Sequence, residues 1–481
     1  MEELLADAHA FVQEVWDDVE RDIDALVQVE SVEDVTRAAE GAPFGPGPRE
    51  ALERTLAVGA RLGLACANCD GYVGVADVPG ADDQYIATIA HADIVPVGAG
   101  WNFDPLRVTS QDGYLIGRGV LDDKGPLVLS LYAASFVASR ARRKGVTPCH
   151  TLRCIVGTNE ETGMADVDYY LEHFPQPLFC FTPDAEFPAI CGEKGRVFAE
   201  VLSAPANVAE ARIVRLEGGE ASNAITGIAS ALVVATAEEV APIAGDAIRA
   251  EESGSDEWGR PLVRLVATGK GGHAAMPEDA HSAVGVLCEA LLSAGICTED
   301  ERAFLELEGR VFANSSGSEL GIDATDPLFK PLTCAGTMVR TQVEDGSRVL
   351  VQGLDIRYPP SIAADELEKR LERVASAHCC NAYVRESSVP FLTDPDSPEV
   401  RTLLGAYSDV TGRKAKAFTI GGGTYARHFN RAVAFGPVDL AYEAIPSWIG
   451  PEHGPDEGVS RESLQLALEV YAVALARLLG V

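Results

Sequence analysis

The chain has 481 residues, of which 47% are hydrophobic, enough apolar side chain to bury a large core and to form two domains. With 73 acidic against 39 basic residues its formal net charge is −34, a field that repels nucleic acid and anionic membranes, so neither is expected as a partner. Eleven cysteines, an odd number scattered over a long chain, suit reduced thiols rather than a disulfide framework.

The N-terminal stretch MEELLADAHAFVQEVWDDVERDIDALVQVES is amphipathic and acidic, without the basic start and continuous apolar run of a secretory signal, so a cytoplasmic location is expected. No stretch approaches 18 uninterrupted apolar residues, and no membrane span is expected. Cys66 and Cys69 have CxxC spacing, but no second pair follows at zinc-ribbon distance. From residue 50 to about 195, apolar β-rich runs alternate with helical patterns, as in an α/β domain with a largely parallel sheet. YIATIA leads into His91, TLRCIVG into Asn159, Glu160 and Glu161, and PLFCFTP into Asp184. Each run delivers its charged residues where strand gives way to loop, the place where open α/β sheets put their sites.

In HADIVP, His91 and Asp93 stand at i and i+2, on one side of an extended segment. A carboxylate accepting one ring N–H fixes the tautomer and leaves the other nitrogen for a metal, although HxD alone also fits a surface histidine beside a solvated aspartate. GRGVLDDKGP carries the pair Asp122 and Asp123, a pattern shared with exposed turns. GTNEETG sets Glu160 and Glu161 side by side after a strand; in an extended loop they diverge, so one can ligate a metal while the other addresses a water. As a bare dipeptide they read equally as a solvated face.

A second region, about 196–385, mixes strand runs such as RPLVRLVATGK and RVLVQGLDIRY with helical ones such as SAVGVLCEALLSAG. The acidic-histidine pattern resumes only at GPEHGPDEG, so the middle reads as an insertion. No internal repeat is present, and IGGGTYAR lacks the GxxxxGK[ST] pattern of a phosphate loop, so no nucleotide is implied.

The ordered set His91, Asp122, Glu160–Glu161, Asp184 and His453, carried on HADIVP, GRGVLDDKGP, GTNEETG, TPDAEF, GKGGHAAMPEDAHSA, IRYP, IGGGTYAR and GPEHGPDEG, resembles the co-catalytic metallopeptidases that include aminoacylase, carboxypeptidase G and carnosinase. GAPFGPGPREAL near residue 41 suits their peptidase V-type dipeptidase branch. The resemblance implies a two-domain α/β protein: a mostly parallel-sheet catalytic domain from residues 1–195 and 386–481, with an inserted two-lobed α+β lid at 196–385. It implies that His91, Asp122 and Asp184 bind one metal and that Asp122, Glu161 and His453 bind the other, with Asp122 as the bridge. Such a donor set suits Zn²⁺ and is compatible with Mn²⁺ or Co²⁺. Two such ions about 3.5–4 Å apart can share a water, lower its pKa and polarise the scissile carbonyl.

By the same resemblance Glu160 takes the proton from that water and returns it to the leaving amine, while Asp93 orients His91. In the lid, His273 of GKGGHAAMP would stabilise the tetrahedral oxyanion, and Arg357 of LDIRYPP would hold the substrate's terminal carboxylate. Asn223 of LEGGEASNAITG and Gly422, Gly423 and Thr424 of IGGGTYAR would also contact substrate. His281 is read as a helix-surface residue, and the acids at 452, 456 and 457 are set aside as ligands. The lid, roughly 190 residues, imitates within one chain the dimer of aminoacylase-like members, so a monomer whose lid closes during turnover is expected. The expected activity is metal-dependent hydrolysis of dipeptides with free amino and carboxyl ends. The same constellation serves N-acyl or N-succinyl amino acid deacylases, and a catalytically silent metal-binding module is the third reading.

Overall fold

A computed structural model of the chain describes residues 2–481. The chain folds into two compact units, one made of Met1–Gly192, Leu392–Phe418 and Gly423–Val481, the other of Glu193–Phe391 with Thr419–Gly422.

The first unit is built on a sheet whose strands run, side by side, Ala65–Cys69, Val73–Val78, Thr151–Gly157, Tyr85–His91, Phe179–Thr182 and Ala432–Ala434. The last four are mutually parallel, and Val73–Val78 pairs antiparallel to Thr151–Gly157. Every residue of Tyr85–His91 is buried, which is why the strand reads as a continuous apolar run rather than an alternation. The register places His91 opposite Gly157 and Thr88 opposite Phe181, so the segments that follow these three strands leave the sheet at one level.

Helices cover this sheet for reasons legible in their spacing. Glu2–Val27 buries Leu4, Ala8, Val12, Trp16, Val19, Ile23 and Leu26, one side chain per turn, in the core shared with the sheet. Lys124–Lys144 buries 15 of its 21 residues and ends where Gly145, at φ 64°, donates back to the carbonyls of Ala141 and Arg142. The C-terminal helix Arg461–Leu478, capped by the Ser460 side chain, packs in the same core.

The second unit is an antiparallel sheet in the order Ile248–Ser255, Pro261–Thr268, Ile228–Val234, Ile213–Gly218, Thr333–Glu344, Ser347–Tyr358, Gly195–Leu202 and Asn381–Ser388. Its two groups of four strands meet through the register pair Gly218–Val339, and Thr341 Oγ1 accepts the Leu216 N–H at 2.7 Å there. Helices Ala283–Ser293, Glu299–Val311 and Ala364–Ala377 complete its core. His281 is not on a helix: it forms an isolated bridge with Lys270, because the Ser282 side chain caps the next helix and starts it at Ala283. Among the described residues no helix is long and apolar enough to cross a membrane.

Candidate active site

Three neighbouring parallel strands deliver the first group of side chains. His91, the last residue of its strand, is fully buried, and its Nε2 faces Asp122 Oδ1 at 3.0 Å and Asp184 Oδ2 at 3.7 Å. Asp184 follows the strand Phe179–Thr182, and Asp122 precedes the helix Lys124–Lys144. From the other end of the chain comes His453, in a loop at φ 61°, with Nε2 2.9 Å from Asp122 Oδ2 and 3.1 Å from Glu161 Oε2. The two oxygens of Asp122 therefore face two different imidazoles.

Asp93 differs from expectation in its contacts. The ring Nδ1 of His91 lies 3.0 Å from the backbone carbonyl of Asp93, with the carboxylate further off at 3.5 Å. The carboxylate instead accepts the N–H groups of Glu160 at 3.3 Å and Glu161 at 3.2 Å, so it fixes the glutamate loop while its own carbonyl orients the histidine. Asp123, joined to Asp122 by a cis peptide, accepts the His91 backbone N–H at 3.0 Å.

Further residues to which the sequence assigned no role support these groups. Asp166 accepts the N–H of Thr158 at 2.6 Å and of Asn159 at 3.0 Å, and the buried Tyr425 hydroxyl donates to it. A Cβ on Gly157 would lie inside the van der Waals radii of Tyr425 Oη and Asp166 Oδ2, so only glycine fits between strand and loop. Glu457 and Arg118, both buried, form an ion pair of 2.6 Å beside Asp122. Glu457 lies in GPEHGPDEG and Arg118 in GRGVLDDKGP, but a partnership between chain ends carries no periodic signal.

Burial and mutual charge shape the electrostatics. Burial, then the charge of Asp122, pushes Asp184 up to about 8; burial also raises Glu160 and Asp123 well above the usual carboxylate range. Asp122 goes the other way: burial would raise it, but hydrogen bonds from His453 and His91 outweigh that and hold it low. Hydrogen bonds to Asp122 and Glu161 push His453 up to about 11. The carboxylates thus crowd into a space that favours positive charge. Glu161 Oε1 and Asp123 Oδ1 are buried without a hydrogen-bond partner, and ligand atoms of His91, Asp122 and Glu161, and of His91, Asp123 and Asp184, lie within 4.8 Å of one another. Orphaned oxygens among converging oxygen and nitrogen donors fit divalent cations, two of them given the split Asp122 carboxylate.

The second unit carries the other expected residues. His273 and Asn223, fifty positions apart, come together on paired two-residue strands: Ala224 is opposite His273, and the Asn223 carbonyl accepts the Ala274 N–H at 2.8 Å. His273 is exposed, and its Nδ1 accepts the Ala275 N–H at 3.1 Å, which assigns the ring proton of the neutral form to Nε2. Arg357 is only 7% exposed, and one edge of its fork is taken by Asp355, at 2.6 and 3.2 Å, while NH1 donates to the Gly421 carbonyl at 3.2 Å. The carboxylate-binding expectation therefore rests on the remaining protons of NH1 and NH2. IGGGTYAR is divided, Gly421 and Gly422 belonging to the second unit and Gly423 and Thr424 to the first, where Thr424 caps a short 3₁₀ helix.

Residues 87–477 match the family described as peptidase family M20/M25/M40. YtjP of Bacillus subtilis (strain 168) is 30% identical over 469 residues, 96% of this chain and 97% of that one. The Beta-Ala-Xaa dipeptidase of Lactobacillus delbrueckii subsp. lactis is 30% identical over 473 residues, 96% of each chain. The crystal structure of human carnosine dipeptidase 1 superposes over 99% of both chains with a TM-score of 0.59 at 15% identity, which establishes a common fold.

Proposed function

The chain belongs to peptidase family M20/M25/M40, and from that premise we propose that it is a metal-dependent dipeptidase acting on dipeptides with free amino and carboxyl ends. The observation that carries the reading is Asp122, whose Oδ1 faces His91 and whose Oδ2 faces the His453 Nε2 that also meets Glu161, an arrangement that suits a carboxylate shared by two cations. The relative named as a Beta-Ala-Xaa dipeptidase supports the substrate class.

In this reading the first unit is the catalytic domain and the second an inserted lid, in a monomeric cytoplasmic enzyme. His91, Asp122 and Asp184 would hold one cation, and Asp122, Glu161 and His453 the other; Zn²⁺ suits the mixed donor set, and Mn²⁺ or Co²⁺ the same ligands. When bound, the cations supply Lewis acidity toward the scissile carbonyl and toward water. Glu160 would hold and move the proton: it stands outside the proposed ligand set, and burial, the largest influence on it, raises its carboxyl, so it would accept a proton and return it to the leaving amine. Asp93 keeps both glutamates in place through their amides. His273 would donate Nε2–H to the carbonyl oxygen as charge develops there. Arg357 and Asn223 would receive the carboxylate, and the backbone of Gly422, Gly423 and Thr424 the rest of the substrate.

The test is a panel of dipeptides, including β-Ala-Xaa members, each beside its N-acetylated counterpart, offered to metal-stripped enzyme reloaded with Zn²⁺ or Mn²⁺. Metal-restored cleavage confined to the free dipeptides supports the proposal. Preference for the acetylated series would make the protein a deacylase, and no turnover of either would leave a metal-binding module.

A further inference from the structure

We infer that Arg118 and Glu457 form a strap that positions the bridging Asp122 and His453 as a single piece, so that the cation position built on both residues depends on the strap more than the one that shares only Asp122. The inference rests on the dinuclear reading above. Glu457 Oε1 accepts the backbone N–H groups of Gly119, Leu121 and Asp122 at 3.0, 3.1 and 3.2 Å, and its Oε2 takes Arg118 NH1 at 2.6 Å. The other arm of the guanidinium, NH2, donates to the carbonyls of His453 at 3.0 Å, Gly454 at 3.2 Å and Val97 at 3.5 Å. One ion pair, 1% and 0% exposed, therefore grips the backbone of a residue before the helix Lys124–Lys144 and that of a loop near the C-terminus.

Both Glu457 oxygens are committed to this network, which makes it a positioning residue and not a ligand. A buried ion pair is an uneconomical source of stability, since apolar replacements of like volume often serve as well. Its use here is geometric: a planar fork can hold an acceptor on each arm, and a lysine cannot. His91 and Asp184, by contrast, follow the strands Tyr85–His91 and Phe179–Thr182 and owe their positions to the sheet. The cation position at Asp122, Glu161 and His453 thus draws two of its three ligands from the strap, and the one at His91, Asp122 and Asp184 only the shared Asp122.

The experiment titrates the full chain, stripped of metal, with Mn²⁺, reading free ion by its EPR signal, for wild type, Glu457→Gln, Arg118→Lys and the double variant Arg118→Met with Glu457→Leu, which strands no buried charge. Amide exchange of the metal-free proteins is followed in parallel. The strap predicts two sites in wild type; in each variant both weaken, one of them by about 10–100-fold and by more than the other. It also predicts faster exchange at Gly119, Leu121 and Asp122 with the melting transition retained, and no recovery in Arg118→Lys. Two sites of wild-type affinity in the double variant, or equal weakening of both, overturns the strap. Failure of wild type itself to bind two ions overturns the dinuclear reading and the strap with it, a result visible before any variant is made.

Discussion

Glu160 hangs from a loop whose amides are held by Asp93, so Glu160→Gln keeps the side chain's volume and that framework while removing the oxygen that carries the proton. The expected result is a fall in kcat of about 10²–10⁴ with Mn²⁺ content unchanged, read by steady-state kinetics beside metal analysis. A second carboxyl, remote from catalysis, makes an independent prediction. Glu308, on the helix Glu299–Val311 of the second unit, is fully buried with neither oxygen hydrogen-bonded, and burial pushes it up to about 8. A carboxyl raised on folding binds its proton more tightly in the native state, so the stability it permits is full below about pH 4.5 and is lost as pH rises toward about 8. The thiols facing it, Cys288, Cys334 and Cys380, are themselves pushed up by burial, the latter two to about 12, and stay protonated across that window. The urea midpoint of wild type should therefore decline from about pH 5 to about pH 8, and Glu308→Gln should flatten the decline; a parallel decline in the variant would contradict the assignment. Nothing in LELEGRV marks Glu308 as buried, because its helix is acidic throughout its first turn and the burial comes from the sheet beneath.

At the scale of elements, the strand ends are the organising device, and the packing behind them sets their precision. Phe181, Phe187, Phe435 and Tyr471 pack edge-to-face or tilted in one cluster, with ring centroids 4.9 to 5.9 Å apart. Phe435→Ala should cost about 3–5 kcal/mol in denaturant unfolding, through lost burial and the cavity left behind. The three parallel strands were legible as uninterrupted apolar runs, since a strand buried on both faces has no alternation to hide in. The side chains they carry were legible as a set because the motifs are local. What stayed illegible depends on torsion and on distance along the chain. That Asp93 offers its carbonyl to His91 and its carboxylate to two amides is decided by backbone geometry after the strand. That Glu457 pairs with Arg118 is decided only when the two chain ends meet. His281 was misread because apolar spacing in SAVGVLCEALLSAG does not show that Ser282 begins the helix.

For the whole molecule, a chain of net charge −34 gathers Asp122, Glu160, Glu161 and Asp184 around two histidines, an arrangement whose mutual repulsion a bound cation relieves. Chelation should lower the melting temperature and readdition of Mn²⁺ or Zn²⁺ should restore it, because ligand bound only by the native state adds stability by mass action. A melting transition indifferent to chelator would mean that the carboxylates are stabilised by the protein alone. Two groupings of the same donors remain distinct in their consequences, since Asp123 as well as Asp122 approaches His91 and Asp184. The measurement that separates them is anomalous diffraction at the absorption edge of the added metal. The account predicts two peaks, one against His91, Asp122 and Asp184 and one against Asp122, Glu161 and His453; a single peak, or one seated on Asp123 with Asp122 uninvolved, would contradict it.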